Sequence, residues 1–431
     1  MTLVCNPLDY ADAGSAMGEV ARVLGESRSA VLRDLADTGG MAGTDEAGEQ
    51  FAASYDGVTE AVAVVVARAV RTAQHVGMLV DIAGWNYAMA DDPDREASTP
   101  PVRESVPVPI ELAPSAHGSH EGEPWGWPLV AGAVGYVWPN GDTGRLRGAA
   151  DSWQMAAAGF ETSGFPVSTA IDLIGRQHTP DGPLAVDLCT QLHVLLTDAA
   201  ANCREVADRC REFADQLDRA RVEAQDALEQ FLWESALLGT ISAAGTVFTA
   251  GGAAAGGGAA FAAAVARHGA RIAAILRALV ESAGLVQRAL VAVGERTRQT
   301  ARAFDALMAG RAAALDELSP WAVLLRTNLA ADLRHAERWV GNLPTEHGPP
   351  NGYLVRRDAS GAVTHYSRYD GDGIALYRVD LVGKTHHSQG VQISTPHVVD
   401  VAKNIDPNGV PHGRTLADSV RPALPQEVRA P

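Results

Sequence analysis

The sequence predicts a multidomain protein, mainly α in its N-terminal three-quarters, where long helical hairpins form a bundle, and ending in a small α+β or β-meander domain. Three observations predict this. Apolar residues recur at three- and four-residue steps over most of the first 340 positions. Alanine, the strongest helix former, supplies much of an apolar content of 46%. Beyond position 350 the period changes to strand-like alternation broken by Gly and Asp turns. A chain of 431 residues also exceeds the usual size of one core, so several units are expected.

The first unit spans 1–91. From Tyr10 to Asp37, Met17, Val20, Leu24, Val31 and Leu35 make one apolar face, and Gly39-Gly40 ends the helix. A second helix opens at Thr44, with Asp45 and Glu46 at the positive end of its dipole, and runs through Phe51, Tyr55, Val58, Val65 and Val76 to about Met89. The two make an antiparallel hairpin. Residues 92–124, rich in proline and charge, read as an extended linker.

A second helical hairpin region covers 125–234. WGWPLVAGAVGYVWPNGD leads into a helix over about 143–159, and another runs over about 184–232, with a seam through Leu192, Leu196, Cys203, Val206, Cys210, Phe213 and Leu217. Cys203 and Cys210 would lie about 10.5 Å apart by helical rise, too far for a bridge, so core thiols are expected. Residues 235–266, uncharged and rich in Ala and Gly, suit a tightly packed small-residue hairpin, or a membrane-inserting element making transient membrane contact. A further helical region covers 267–341, broken at Pro320, and NLPTEHGPPNG is the joint to the last unit, 351–431.

The last unit differs in chemistry. The whole chain carries a net charge of −17, which argues against nucleic-acid binding along its full length. From Asn351 onward, however, nine Lys/Arg face eight Asp/Glu, and the segment holds five of the thirteen histidines and none of the eight tryptophans. YLVRR, AVTHYSRY and IALYRVDLV read as three strands separated by Asp358–Gly361 and Asp370–Gly373. Asp370-Gly371-Asp372-Gly373 starts like a calcium loop, but Ile374 stands at the next ligand position, and it reads as a turn.

The N-terminal hairpin resembles the WXG100 class exported by type VII (ESX) secretion systems, with Met41-Ala42-Gly43 where that class has Trp-x-Gly. Tyr87-Ala88-Met89-Ala90-Asp91 is similar to the Tyr-x-x-x-Asp/Glu signal of such substrates, and Tyr87 and Asp91 share a helix face. Residues 125–160, with Trp138, Pro139, Asp142 and Trp153, resemble the helical region of mycobacterial channel-and-toxin proteins. The tip, with Tyr369-Asp370-x-x-Gly373, Arg378-Val379-Asp380, Gly383-x-x-His386 and Thr395-Pro396-His397, resembles polymorphic toxin type 24. The N-terminal MTLVCNPLDYADAG shows no basic region followed by an apolar run, so no Sec-type signal peptide is expected. The resemblances imply a secreted toxin, a small WXG100-like export partner, an RNA substrate and a cognate immunity protein.

Metal-independent RNA cleavage needs a base, an acid and a cation for the crowded phosphate. His386 and His397 are the expected acid/base pair, with Arg378 on the phosphate, Asp380 orienting a histidine and His387 in reserve; His365, His412, Lys384 and a patch of Arg356, Arg357 and Arg368 lie in the same unit. The bland reading makes Arg378 and Asp380 a surface ion pair. His386, His387 and His397 could instead bind a metal, but no Cys pair or His-x-x-x-His spacing supports zinc, and the expected site has no metal or cofactor. Two rival functions are a non-enzymatic helical scaffold or adhesion protein, and a pore former using the Ala/Gly segment. Substituting His397 separates the enzyme from the scaffold, and liposome leakage tests the pore.

Overall fold

The computed structural model describes residues 5–91, 108–118, 122–237, 257–316, 329–330, 332–388, 391–406, 408–423 and 425–428. Helix α1 (Pro7–Leu35) starts where Asn6 accepts a bond from the Leu8 amide and Pro7 presets the first turn. It buries Tyr10, Met17, Val20, Leu24 and Leu35. Asp45, itself buried, caps α2 (Glu46–Asp91) by accepting from the amides of Ala47 and Gly48. Glycine sets how closely the pair approach: a Cβ at Gly84 would stand 2.5 Å from Tyr10 Cβ.

After α3 (Trp127–Val134), α4 (Thr143–Gly175) and α5 (Gly182–Leu237) lie against the first pair, and α6 (Gly257–Asp316) packs on α2 and α5. One continuous core joins them. Helix α4 runs past the expected end near Gly159 and through Pro166, because Val167, Ala170 and Ile174 still have a core to enter. All four cysteines are free, and Cys189, Cys203 and Cys210 are buried. Trp153 donates from Nε1 to the Tyr55 hydroxyl at 2.9 Å, and the Phe51 and Phe213 rings stack at 4.5 Å.

The Trp-Pro-x-x-Asp segment closes over the turn between α1 and α2. The Asp142 amide donates to Met41 O at 2.8 Å, Asn140 Oδ1 accepts from the Thr44 amide, and Arg221 Nε donates to Pro139 O. Gly141 lies where a Cβ would meet Ala42 O at 2.5 Å. The two stretches that carried separate resemblances thus form one structural joint.

Most of the Ala/Gly segment, 238–256, and Pro320 lie outside the described residues; residues 257–266 form the first turns of α6. Among the described residues one helix, α5, is long and apolar enough to cross a membrane by length and composition, and a third of that stretch is buried within the bundle.

The C-terminal unit is a mixed sheet. Its strands are β1 (Ile110–Glu111), β2 (Glu337–Arg338), β3 (Tyr353–Arg357), β4 (Val363–Tyr369), β5 (Ala375–Asp380), β8 (His397–Ile405) and β9 (Pro411–Pro422), in the order β1-β8-β5-β4-β3-β2 with β9 also on β8. A separate hairpin, β6 (His386–Ser388) and β7 (Val391–Ile393), and a short helix α7 (Pro425–Val428) complete it. The three expected strands form the β3–β4–β5 meander.

Two boundaries differ from the sequence reading. Ile110, in the stretch read as linker, is buried and pairs with Ala402 on β8. The unit also begins before the expected joint: Leu333 enters its core, and the joint itself is held by Tyr369 Oη donating to Pro344 O at 2.7 Å. Isolated apolar residues among prolines and charges carry no periodicity, so only long-range pairing reveals them.

Register sorts the sheet into two faces. Val355, Tyr366, Val379 and Val398 stand opposite one another and form a core with Leu333. That face continues into Asp400 and Arg421, which meet the helical bundle: Arg68 of α2 pairs with Asp305 of α6 at 2.7 Å and with Asp400 at 3.1 Å, while Ser419 donates to Asp400 at 2.8 Å. Arg71 lies over the Tyr377 ring.

Candidate functional site

The opposite face carries the chemistry. Arg356, His365, Asp380 and His397 are cross-strand neighbours in one row over β3, β4, β5 and β8, and Arg378, two positions before Asp380, points the same way. A row of this kind needs no sequence spacing, since each member comes from a different strand.

Asp380 is the centre. Arg378 grips it with two bonds, Nε to Oδ1 at 2.8 Å and Nη2 to Oδ2 at 3.0 Å. His397 Nε2 stands 3.3 Å from Oδ2, and His365 Nε2 stands 4.0 Å from Oδ1. The His386 ring, brought in by the β6–β7 hairpin, meets the His397 ring edge-on with centroids 4.8 Å apart. Asp380 is 5% exposed while Arg378 keeps part of its surface in solvent, so their pair is a part-buried, oriented contact.

Burial divides the histidines. His397 has no exposed surface, while His386 and His365 are partly exposed. Burial pushes the His397 and His365 imidazoles below their ordinary range, and the Asp380 carboxylate opposes that shift in both. Both shifts favour the neutral ring near neutral pH.

Of the residues expected from the sequence, His386, His397, Arg378 and Asp380 come together. His387 does not join them: its neighbours on β6 alternate in direction, and it is exposed. Lys384 is exposed in the loop before β6, and His412 lies beside Glu346 and Asp406, near the far end of β9. Two members of the supposed basic patch have structural partners, since Arg357 donates to Leu333 O and Arg368 stacks on Tyr353. His365 is the neighbour that sequence spacing alone would pass over. The signal for it was the strand register linking His365 to Asp380.

Asp370 accepts from the amides of Asp372 and Ile374, and Lys403 pairs with both Asp370 and Asp372, so that segment is a self-capped turn. Near the end of α2, Tyr87 donates to Asp181 Oδ1 at 2.5 Å and lies 5.6 Å from the Tyr10 ring, while Asp91 is exposed at the last position of that helix. Between bundle and sheet lies a cavity of about 880 Å³ lined by Arg68, Arg71, Arg302, Asp305, Gln392 and Arg421.

Residues 333–429 match the family model Ntox24, described as bacterial toxin 24, so the C-terminal unit is similar to a bacterial toxin domain. The chain is 34% identical over 233 residues to the outer membrane channel protein CpnT of Mycobacterium tuberculosis and of Mycobacterium bovis, covering 52% of this chain. It is 33% identical over 187 residues, 42% of this chain, to the Mycobacterium avium protein Mav, named as a candidate NAD(+)–arginine ADP-ribosyltransferase. The matched segments span only 27% and 22% of those relatives' own lengths. No solved structure matches the chain. The chain is thus similar over about half its length to mycobacterial proteins, among them an outer membrane channel protein, and its C-terminal sheet domain matches bacterial toxin 24.

Proposed function

We propose that the protein is a secreted bacterial toxin whose C-terminal domain cleaves RNA by histidine acid/base chemistry. The observation that carries the reading is the convergence of two imidazoles, His365 and His397, and Arg378 on the buried Asp380, with the His386 ring set against His397.

In this mechanism the partly exposed His386 and His365 are the catalytic residues, one taking the 2′-hydroxyl proton and the other protonating the leaving oxygen. Arg378, part-exposed at the rim, meets the phosphate while holding Asp380. His397, being fully buried, is a positioning residue: it steadies the His386 ring and stands 3.3 Å from Asp380 Oδ2. This reassigns one half of the expected pair from His397 to His365, because a residue without exposed surface cannot touch RNA.

The same reading has the helical region serve export by a type VII route, with Tyr87 and Asp91 as its signal, a small WXG100-like partner during export and an immunity protein guarding the producer. The similarity to an outer membrane channel protein supports an exported or cell-surface location.

Inducible expression of the full chain in a bacterium, with RNA followed on a gel, tests the reading. Parent and His387→Ala should degrade RNA and arrest growth, whereas His386→Ala and His365→Ala should each lower cleavage by about 100-fold or more. Growth arrest with intact RNA overturns the ribonuclease assignment.

A further inference from the structure

The side chains at the candidate site also compose a donor set that no sequence spacing announces. Asp380, His386 and His397 each present one ligand atom, and these atoms all lie within 4.8 Å of one another. Donors around a tetrahedral ion bound at about 2.1 Å stand about 3.4 Å apart. The 3.3 Å between His397 Nε2 and Asp380 Oδ2 already has that spacing, so only His386 needs to close in, by up to about 1.4 Å on the ligand-spacing argument. It sits on a three-residue hairpin strand outside the main sheet, where such a shift disturbs no other ladder.

A second observation points to a ligand. His397 has no exposed surface, yet among the described residues neither ring nitrogen finds a partner in hydrogen-bond geometry, although Asp380 Oδ2 lies 3.3 Å from Nε2 and the Ser394 backbone stands near. A fully buried imidazole without a well-formed bond forgoes the solvation it had in water, and a coordinated ion would restore it.

We propose that Asp380, His386 and His397 bind a borderline transition-metal dication of the zinc class, and that the bound ion silences the site. Two imidazoles and one carboxylate suit Zn²⁺ or Co²⁺ over Mg²⁺ or Ca²⁺, which take oxygen donors. Arg378 holds the carboxylate from its outer side, as a residue behind a ligand does, and its positive charge keeps affinity below that of an all-cysteine structural site. The silencing rests on the ribonuclease reading: coordination occupies the His386 lone pair, and that ring can then neither take nor give a proton. The metal site itself does not depend on that reading.

The test uses the full chain, stripped with a chelator, dialysed and titrated with Co²⁺, with visible d–d absorption and calorimetry as readouts. One equivalent should bind, and His386→Ala should weaken binding by about 100-fold, since a two-donor remnant holds the ion poorly. His387→Ala and His412→Ala should bind as the parent does; the second controls for the separate group of His412, Glu346 and Asp406. Absence of binding, unchanged binding in His386→Ala, or loss in either control overturns the site. Zn²⁺ should slow RNA cleavage by the parent at least tenfold, with chelator restoring it, whereas loss of cleavage on chelation overturns the silencing role. Co²⁺ binding through His386 with RNA intact in both states leaves the metal site standing and removes the ribonuclease reading.

Discussion

Arg68 on α2 donates through Nη2 to Asp400 Oδ2 on β8 at 3.1 Å, joining positions 332 residues apart with both side chains almost wholly withdrawn from water. The toxin-like sheet is therefore docked on the helical region by charge, and not only tethered to it. Arg68→Ala should cost about 3–5 kcal/mol, because it leaves the buried Asp400 and the part-buried Asp305 with weakened partners. Urea unfolding at neutral pH checks the magnitude, and a double-mutant cycle with Asp400→Ala isolates the pair. Additive losses would show that the contact contributes nothing of its own.

Trp153→Phe should cost about 1–2 kcal/mol, mostly by leaving the buried Tyr55 hydroxyl without its donor. Trp153→Ala, which also empties a large core volume, should cost about 3–5 kcal/mol. If Tyr55→Phe in the Trp153→Phe background restores no stability in thermal melts, the hydrogen bond is not the cause.

His75 supplies a pH dependence. Burial lowers its pKa from 6.5 to about 4, so the folded state prefers the neutral ring. Below pH 6.5 the unfolded chain takes up the proton first, and stability falls as pH drops from about 6.5 to 4, then levels off with respect to this group. His75→Gln should flatten that part of the stability profile. An unchanged slope in urea midpoints measured across this window would assign the acid sensitivity to other groups.

Tyr87 and Asp91 should separate folding from export. Asp91 is exposed, so Asp91→Ala should leave the melting temperature within about 1 °C, in keeping with the small effect of surface substitutions, while reducing secretion into the medium. Tyr87→Phe removes the bond to Asp181 and should lower both stability, by about 1 kcal/mol, and export. Normal secretion of Asp91→Ala would dismiss the signal.

Gly84→Val should be tolerated worse than most substitutions on α2. Its first side-chain atom meets Tyr10 Cβ, and wedging α1 from α2 should cost about 1–3 kcal/mol in thermal or urea unfolding. A neutral result would mean that the two helices slide apart freely.

Much of the architecture was legible because its signals are local. The α1–α2 hairpin showed itself through a 3.6-residue period and a Gly-Gly stop, and the β3–β4–β5 meander through alternation and Asp/Gly turns. Where a signal was not local, the reading stopped short. Ile110 joins β8 from nearly 300 residues upstream, and Leu333 enters the sheet core from before the expected joint. The candidate site shows the same divide: Arg378 and Asp380 were readable as a same-side pair on one strand, whereas His365 became a member only through cross-strand register.

The sequence by itself determined where the long helices lie, though not where α4 ends or that α3 forms, where strand chemistry begins and which residues of the last unit carry titratable groups, because periodicity and residue type act over one or two turns of chain. Only the tertiary structure decided that His397 is sealed while His386 and His365 reach solvent, that His387 faces away, and that Arg68 grips the sheet. Burial and pairing are set by which distant surfaces meet, and that depends on strand register and helix packing summed over the whole chain.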